Sequence, residues 1–217
     1  MGARRASAAD GRACHNARPP VAAGRACVGA VGRRRAFGAA ALRWRPAAAV
    51  LAGGAVPAAL RPWLAERGSL TARLAAACPG RLRVAVLAEG WALPAPEEAR
   101  RLGLRRGARA WVRHVHLLCG RTPWLFARTV VPARTLRGAG AGLRRLGERP
   151  LGELLHRSPG VGRSGLEVAP LPAGHPLHRL AWPRGTAAAI WGRRSVYTMR
   201  GRALLVSEFF LPPLAGG

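Results

Sequence analysis

The chain has 217 residues, enough for one domain with a real core plus a tail, and its formal net charge at pH 7 is +27. Every basic residue is arginine, and Ala, Gly, Arg and Pro dominate, as a GC-rich coding sequence produces. The charge is therefore weak evidence for a nucleic-acid partner. The absence of a long apolar run free of Arg and Pro argues against a transmembrane helix.

The first 40 residues alternate Ala, Gly and Arg without a sustained period. Such a segment cannot bury enough apolar area to offset its ordering entropy. We predict that residues 1–40 are an unfolded extension or the product of a wrongly assigned start codon. The folded domain is then expected to span 41–217.

The four cysteines, Cys14, Cys27, Cys78 and Cys119, form no CxxC pair. Their spacing predicts neither a disulfide framework nor a zinc site. A reducing, cytoplasmic setting is the simplest interpretation.

The first strong pattern is helical and covers residues 61–78. Within it, Ser69 is a good N-cap for a helix that begins at Leu70. Apolar and polar residues then alternate over 81–88, which predicts a strand. A proline-rich loop is expected at 94–98.

Two hairpins follow in the predicted sheet. The first pairs strands 109–119 and 124–131 through a longer loop, and 140–157 is helical in two pieces. The second pairs 186–199 with 203–211 through a turn at Arg200-Gly201. Between them, residues 158–184 are predicted to be an exposed loop rich in Pro, Gly and His. Hairpins with separate helices indicate an α+β fold with an antiparallel sheet.

Three predicted strands carry one charged residue each on an otherwise apolar face: Arg113, Arg128 and Glu208. Burying an unpaired charge is costly, so such groups are paired or hold a ligand. The pattern predicts a closed pocket into which two guanidiniums and one carboxylate point. That inventory suits a small anion with a hydroxyl. The alternative is a structural salt bridge between Arg113 and Glu208.

The histidines give a weaker signal. His114 and His116 share a strand face, as metal ligands can, but no acidic or Cys partner stands at ligand spacing. An exposed strand face is the favoured interpretation. Solvation is expected for His156, His175 and His178. We therefore predict no metal and no cofactor.

Four segments carry a recognisable pattern: WVRHVHLLCGRTPWLFARTVVP (111–132), LGERPLGELL (146–155), IWGRRS (190–195) and LLVSEFFLP (204–212), with weaker matches in LRWRP (42–46) and RGSLTARL (67–74). In this order they resemble the chorismate lyase family. The resemblance covers residues 42–214. It implies an antiparallel sheet with helices packed to one side, enclosing an internal ligand cavity. It also implies removal of pyruvate from chorismate to leave 4-hydroxybenzoate, which feeds ubiquinone biosynthesis.

The resemblance implies a role for each site residue. Arg113 would grip the ring carboxylate and Glu208 would meet the ring hydroxyl, and these two would be catalytic. Arg128 would meet the second anionic group or its exit path. Backbone groups at Leu70 and Leu151 would line the site, with Leu70 standing where Met is familiar.

The expected partners are chorismate and 4-hydroxybenzoate, with no nucleic acid, no membrane span and a monomeric state. Two rival functions remain at this stage. One is a ligand-binding module like the sensor domains of transcription regulators, although residues 1–40 show no helix-turn-helix pattern. The other is an Arg-rich nucleic-acid-binding protein. The pair Arg193-Arg194 is then either a phosphate or RNA contact or a solvated or partner-facing strand end.

Overall fold

Eight strands form one antiparallel sheet in the computed structural model, which describes residues 41–137, 140–183 and 188–215. The strands in order along the chain are β1 (Arg45–Pro46), β2 (Leu82–Ala92), β3 (Ala110–Cys119), β4 (Thr122–Pro132), β5 (Val161–Arg163), β6 (Glu167–Leu171), β7 (Ile190–Met199) and β8 (Arg202–Phe210). Their order across the sheet is β1-β6-β7-β8-β4-β3-β2, and β5 also pairs with β7.

Short helices connect and cover these strands. They are α1 (Ala47–Ala52), α2 (Arg61–Leu64), α3 (Leu70–Ala77), α4 (Pro96–Arg101), α5 (Ala133–Leu136), α6 (Leu151–Arg157), α7 (Pro176–Ala181) and α8 (Pro212–Ala215), with 3-10 turns at Ala58–Leu60 and Ala141–Arg145. The predicted α+β fold with a single antiparallel sheet is confirmed. Within the three described ranges, no helix has the length and apolar character needed to cross a membrane.

Helices α2 and α3 pack on the face of the sheet that carries Val84 and Val115. Leu64, Leu70 and Leu74 are buried there against the strands. The predicted cap is present, since the Ser69 hydroxyl accepts a hydrogen bond of 3.2 Å from the Ala72 amide. The opposite face is covered by α7 and by the residues that follow α4.

The two hairpins have different turns. The second has positive φ at both Arg200 and Gly201, 47° and 74°, as a two-residue type I′ turn requires, so the predicted turn is confirmed. The first is tighter than predicted, because Thr122 already pairs with Cys119. The prediction of a longer loop is therefore wrong. Strand β4 has a β-bulge at Trp124, which has no residue of β3 directly opposite.

The prediction of an exposed loop over 158–184 is wrong for the described residues 158–183. This segment contains β5, β6 and α7, and Val168, Leu171 and Leu177 are buried in it. A five-residue strand and a six-residue helix are too short to show a clear period, so packing against neighbours decides their structure. The proline-rich loop at 94–98 likewise gives way to α4, which has proline at its first position.

A disulfide joins Cys78, at the end of α3, to Cys119, at the end of β3, with the Cα atoms 5.6 Å apart. The prediction that the cysteines form no disulfide is therefore wrong for this pair. The two residues are 41 positions apart in sequence, and only the packing of α3 on the sheet brings them together. Cys14 and Cys27 lie outside the described residues, as does the predicted extension 1–40.

We expect the substitution Cys78→Ser to lower the free energy of unfolding by about 4 kcal/mol, because the disulfide closes a loop of this length in the unfolded chain. Guanidinium unfolding of the oxidised protein, followed by circular dichroism, measures this. The control is the wild type with reductant, which should match the variant. Equal midpoints for variant and oxidised wild type would contradict the link.

Candidate active site

A cavity lies between the sheet and helices α3 and α6. Three of its polar side chains come from central strands of the sheet: Arg113 from β3, Thr129 from β4 and Glu208 from β8. The remaining wall is formed by Thr71, Val84, Val115, Leu117, Leu125, Ala127, Arg149, Pro150, Leu151, Gly152, Leu155, Tyr197 and Val206.

Arg113 is held rigidly in the wall of this cavity and is only 4% exposed. One terminal nitrogen donates to the Glu89 carboxylate at 3.0 Å, and the other donates to the Gly147 carbonyl at 2.6 Å. Burial lowers the pKa of Arg113, and the hydrogen bond and charge of Glu89 oppose this change. The result is an immobilised cation beside an apolar wall, which is a suitable partner for a ligand carboxylate.

Glu208 has a different partner. Its Oε2 accepts a hydrogen bond of 2.7 Å from Nε of Arg193. The alternative of a salt bridge between Arg113 and Glu208 is therefore wrong, because each is paired elsewhere. The interpretation of Arg193-Arg194 as a solvated strand end or phosphate contact is also wrong, since both residues are buried and ion-paired.

The two leucines predicted at the site lie at the starts of the two helices over the cavity. Leu151, the first residue of α6, lines the wall directly. Leu70, the first residue of α3, packs in the hydrophobic core, and its neighbour Thr71 lines the wall. A side chain at Gly152 would meet the Thr71 hydroxyl at 2.7 Å, so glycine allows α6 to approach α3 closely here.

Arg128 lies on the opposite face of the sheet from Arg113 and Glu208. The bulge at Trp124 shifts the pairing by one residue, so that Arg128 stands opposite His114 and Thr129 opposite Arg113. A one-residue shift moves every side chain of the strand to the other face. The prediction that Arg128 points into the same pocket as Arg113 and Glu208 is therefore wrong.

On its own face, Arg128 forms a buried two-point ion pair with Glu98. Its Nε and a terminal nitrogen donate to the carboxylate at 2.7 and 2.8 Å, and its other terminal nitrogen is 2.6 Å from the His114 ring. Glu98 stands in the region predicted to be a loop and was not recognised as a partner. Its Oε2 also accepts a hydrogen bond from the Ala95 amide, which fixes the start of α4.

The strand face with His114 and His116 is covered rather than exposed. Burial lowers the pKa of His114 to about 3, and the positive charge of Arg128 adds to the effect. His116 contacts the Ala181 carbonyl, so the prediction of an exposed strand face is wrong. His178 is buried, so the prediction that it is solvated is also wrong. Across the described ranges, no three His, Cys, Asp or Glu side chains form a group that could hold a metal ion.

Tyr197 and Arg149 also line the cavity, and neither was predicted from the sequence. Burial raises the pKa of Tyr197 to about 12, and the negative charge of Glu208 adds to the rise. Tyr197 therefore keeps its hydroxyl proton at neutral pH. Arg149 is exposed and bonds the Leu146 and Arg145 carbonyls. The alternation of β7, which puts Tyr197 on the face of Arg193, was the available signal for the tyrosine.

Comparison with known proteins decides the family. The sequence profile described as chorismate lyase matches residues 41–215. The chain belongs to the chorismate lyase family. A probable chorismate pyruvate-lyase from Aromatoleum aromaticum is 47% identical over 163 residues, which cover 73% of this chain and 88% of the relative. Another from Halorhodospira halophila is 48% identical over 176 residues, covering 79% and 91%.

Solved structures of lower similarity were also found for this family member. PhnF from Mycobacterium smegmatis has a TM-score of 0.48 and 16% identity, covering 69% of this chain and 66% of the other. A GntR-family transcriptional regulator from Bacillus cereus has a TM-score of 0.47 and 12% identity, covering 61% and 92%.

We expect the single tyrosine of the chain to titrate near pH 12 in the folded protein, because Tyr197 is buried beside Glu208. Tyrosinate absorbance at increasing pH measures this directly. In guanidinium, where the protein is unfolded, the pH midpoint of this absorbance change should fall to about 10, the ordinary pKa of an exposed phenol. Equal midpoints for folded and unfolded protein would show that Tyr197 is not buried in the cavity wall.

Proposed function

We propose that the protein is a chorismate lyase that eliminates pyruvate from chorismate and leaves 4-hydroxybenzoate, which feeds ubiquinone biosynthesis. The family and the relatives named probable chorismate pyruvate-lyase support this assignment. The observation that carries it is the placement of Arg113 and Glu208 on one buried wall. An aromatic acid with a hydroxyl opposite its carboxylate presents one polar group to each.

The spacing of the two residues supports this ligand. Arg113 stands opposite Thr129 and Glu208 opposite Ala127, so the two are separated by one strand and offset by two residues along it. Strand spacing and rise then put their Cα atoms roughly 12 Å apart. With side chains converging from both ends, the gap matches one six-membered ring carrying polar groups at its two ends.

The reaction needs little from the protein besides orientation and charge stabilisation. Chorismate loses the enolpyruvyl ether from one ring carbon and hydrogen from the neighbouring carbon, and the ring becomes aromatic. Arg113 fixes the ring carboxylate throughout. Glu208 positions the hydroxyl on the carbon that loses hydrogen and assists movement of that proton toward the departing enolpyruvyl group, which leaves as pyruvate.

The second carboxylate of the substrate needs a cation other than Arg128, which lies behind the sheet. Arg149 provides one, because it lines the cavity and its side chain is exposed. Backbone groups at the starts of α3 and α6, near Leu70 and Leu151, complete the proposed site. No metal or cofactor has a role in this scheme.

The proposal includes a monomeric enzyme in the cytoplasm, with the activity carried by residues 41–217. In a reducing compartment Cys78 and Cys119 would be free thiols. The packing of Leu70 and Leu74 on the sheet would then hold α3 in place without the covalent link.

We expect the purified protein to convert chorismate to 4-hydroxybenzoate and an equal amount of pyruvate. Absorbance of the aromatic product and reduction of pyruvate by lactate dehydrogenase measure the two products separately. Chelator should leave the rate unchanged, because no step uses a metal. Binding of 4-hydroxybenzoate without any turnover of chorismate would indicate a ligand-binding module instead.

We expect Arg113→Ala to weaken binding of 4-hydroxybenzoate and of benzoate together, by about 2 to 5 kcal/mol, since both lose the partner of their carboxylate. Isothermal titration calorimetry measures both affinities. Arg106→Ala, at an exposed arginine, is the matched control and should bind as the wild type does. Unchanged affinity in the Arg113 variant would exclude it from the site.

We expect Glu208→Gln to reduce turnover more than product binding, because glutamine keeps the shape and a hydrogen bond but loses the charge. The variant should also lose part of the preference for 4-hydroxybenzoate over benzoate. Glu153→Gln, at an exposed position on α6, is the control. If the Glu208 variant keeps the full preference for 4-hydroxybenzoate over benzoate, the ligand hydroxyl does not contact Glu208.

A further inference from the structure

Arg193 stands directly opposite Glu208 where β7 pairs with β8. It is 1% exposed and is the largest of the fully buried side chains in the described part of the chain. A buried guanidinium is stable only when its donors are well matched. Its partners therefore show what holds it there.

Three hydrogen bonds hold this guanidinium. Its Nε donates to Oε2 of Glu208 at 2.7 Å. One terminal nitrogen donates to two backbone carbonyls, of Trp63 at 3.0 Å and of Glu66 at 2.6 Å. Both carbonyls belong to the end of α2 and the residues just after it, where a helix leaves carbonyl groups without internal partners.

The residues bound by Arg193 lead directly to the start of α3. Glu66 accepts hydrogen bonds from the Gly68 amide, at 2.6 Å, and from the Arg73 side chain, at 2.8 Å. Ser69 then caps α3, and Thr71 in its first turn lines the cavity. Arg193 thus joins the carboxylate of Glu208 to the segment that closes the cavity from above the sheet.

We infer that Arg193 is a positioning residue of the active site: it binds one oxygen of Glu208, so that the other meets the substrate hydroxyl, and it fixes the start of α3 over the same cavity. This rests on the proposed function. The role needs the planar fork of arginine, because Nε and a terminal nitrogen bond different groups in one plane. A lysine keeps the charge but cannot make these bonds together.

The neighbouring Arg194 offers a matched control. It is also buried, at 6% exposure, and its Nε donates to Glu167 at 2.8 Å. It lies on the other face of the sheet, with its guanidinium over the Trp44 ring. Substitutions at Arg194 therefore remove a comparable buried ion pair without touching the cavity, and they report the effect of lost stability alone.

The test compares Arg193→Lys and Arg193→Met with the same substitutions at Arg194. The measurements are kcat and KM for chorismate and the ratio of affinities for 4-hydroxybenzoate and benzoate. We expect both Arg193 variants to lower kcat by roughly ten-fold or more and to narrow the affinity ratio by a similar factor, as for a lost hydrogen bond to a charged group. Benzoate affinity should fall less than 4-hydroxybenzoate affinity, because benzoate lacks the hydroxyl that Glu208 meets, and the Arg194 variants should stay within about twofold of the wild type.

A double-mutant cycle separates positioning from a general structural effect. If Arg193 acts through Glu208, then Arg193→Lys combined with Glu208→Gln should show no narrower affinity ratio than Glu208→Gln alone. The inference would be overturned if the two substitutions narrowed the affinity ratio additively. It would also be overturned if Arg193→Lys had the same affinity ratio and kcat as Arg194→Lys. The ratio of affinities for 4-hydroxybenzoate and benzoate tests Arg193 even if the wild type does not turn over chorismate. Absence of turnover in the wild type would reject the proposed function and not the role of Arg193.

Discussion

The cost of burying charge inside the sheet governs the structure. Four arginines from its central strands are almost completely buried, and each forms an ion pair with a different glutamate: Arg113 with Glu89, Arg128 with Glu98, Arg193 with Glu208 and Arg194 with Glu167. An unpaired charge in such a place would cost several kcal/mol. Four of the nine acidic residues of this basic chain are used to avoid that cost.

The same pairs lie on two faces of the sheet, one that bounds the cavity and one behind it. On the cavity side, Arg113 is held by the Glu89 carboxylate and the Gly147 carbonyl, and Glu208 is held by Arg193. In the proposed site, a ligand with a carboxylate and a hydroxyl would complete the hydrogen bonding of both without moving either, which is the preorganisation that an elimination driven by aromatisation requires. On the other side, the pair of Arg128 with Glu98 anchors α4, and the low pKa of His114 keeps a second positive charge away from Arg128.

Much of this arrangement could be predicted from the sequence where the pattern is long and local. The two hairpins, the cap at Ser69 and the inward faces of β3 and β8, with Arg113 and Glu208, follow from alternation and turn chemistry. The face of the sheet on which Arg128 lies could not be predicted, because both faces of β4 are buried. The one bulged residue, Trp124, exchanges the faces on which all later side chains of β4 lie. The disulfide, the short elements within 158–184 and the partners of the buried arginines depend on contacts between distant segments, which no local pattern records.

The central claim is that one small aromatic acid lies between Arg113 and Glu208 on the face bounded by α3 and α6. A crystal structure of the protein with 4-hydroxybenzoate tests it most directly. The account predicts the ligand carboxylate on the Arg113 guanidinium, the hydroxyl on the Glu208 oxygen that Arg193 does not hold, and the ring against Val115 and Val206. A ligand bound instead beside Arg128 and Trp44, on the opposite face of the sheet, would contradict it.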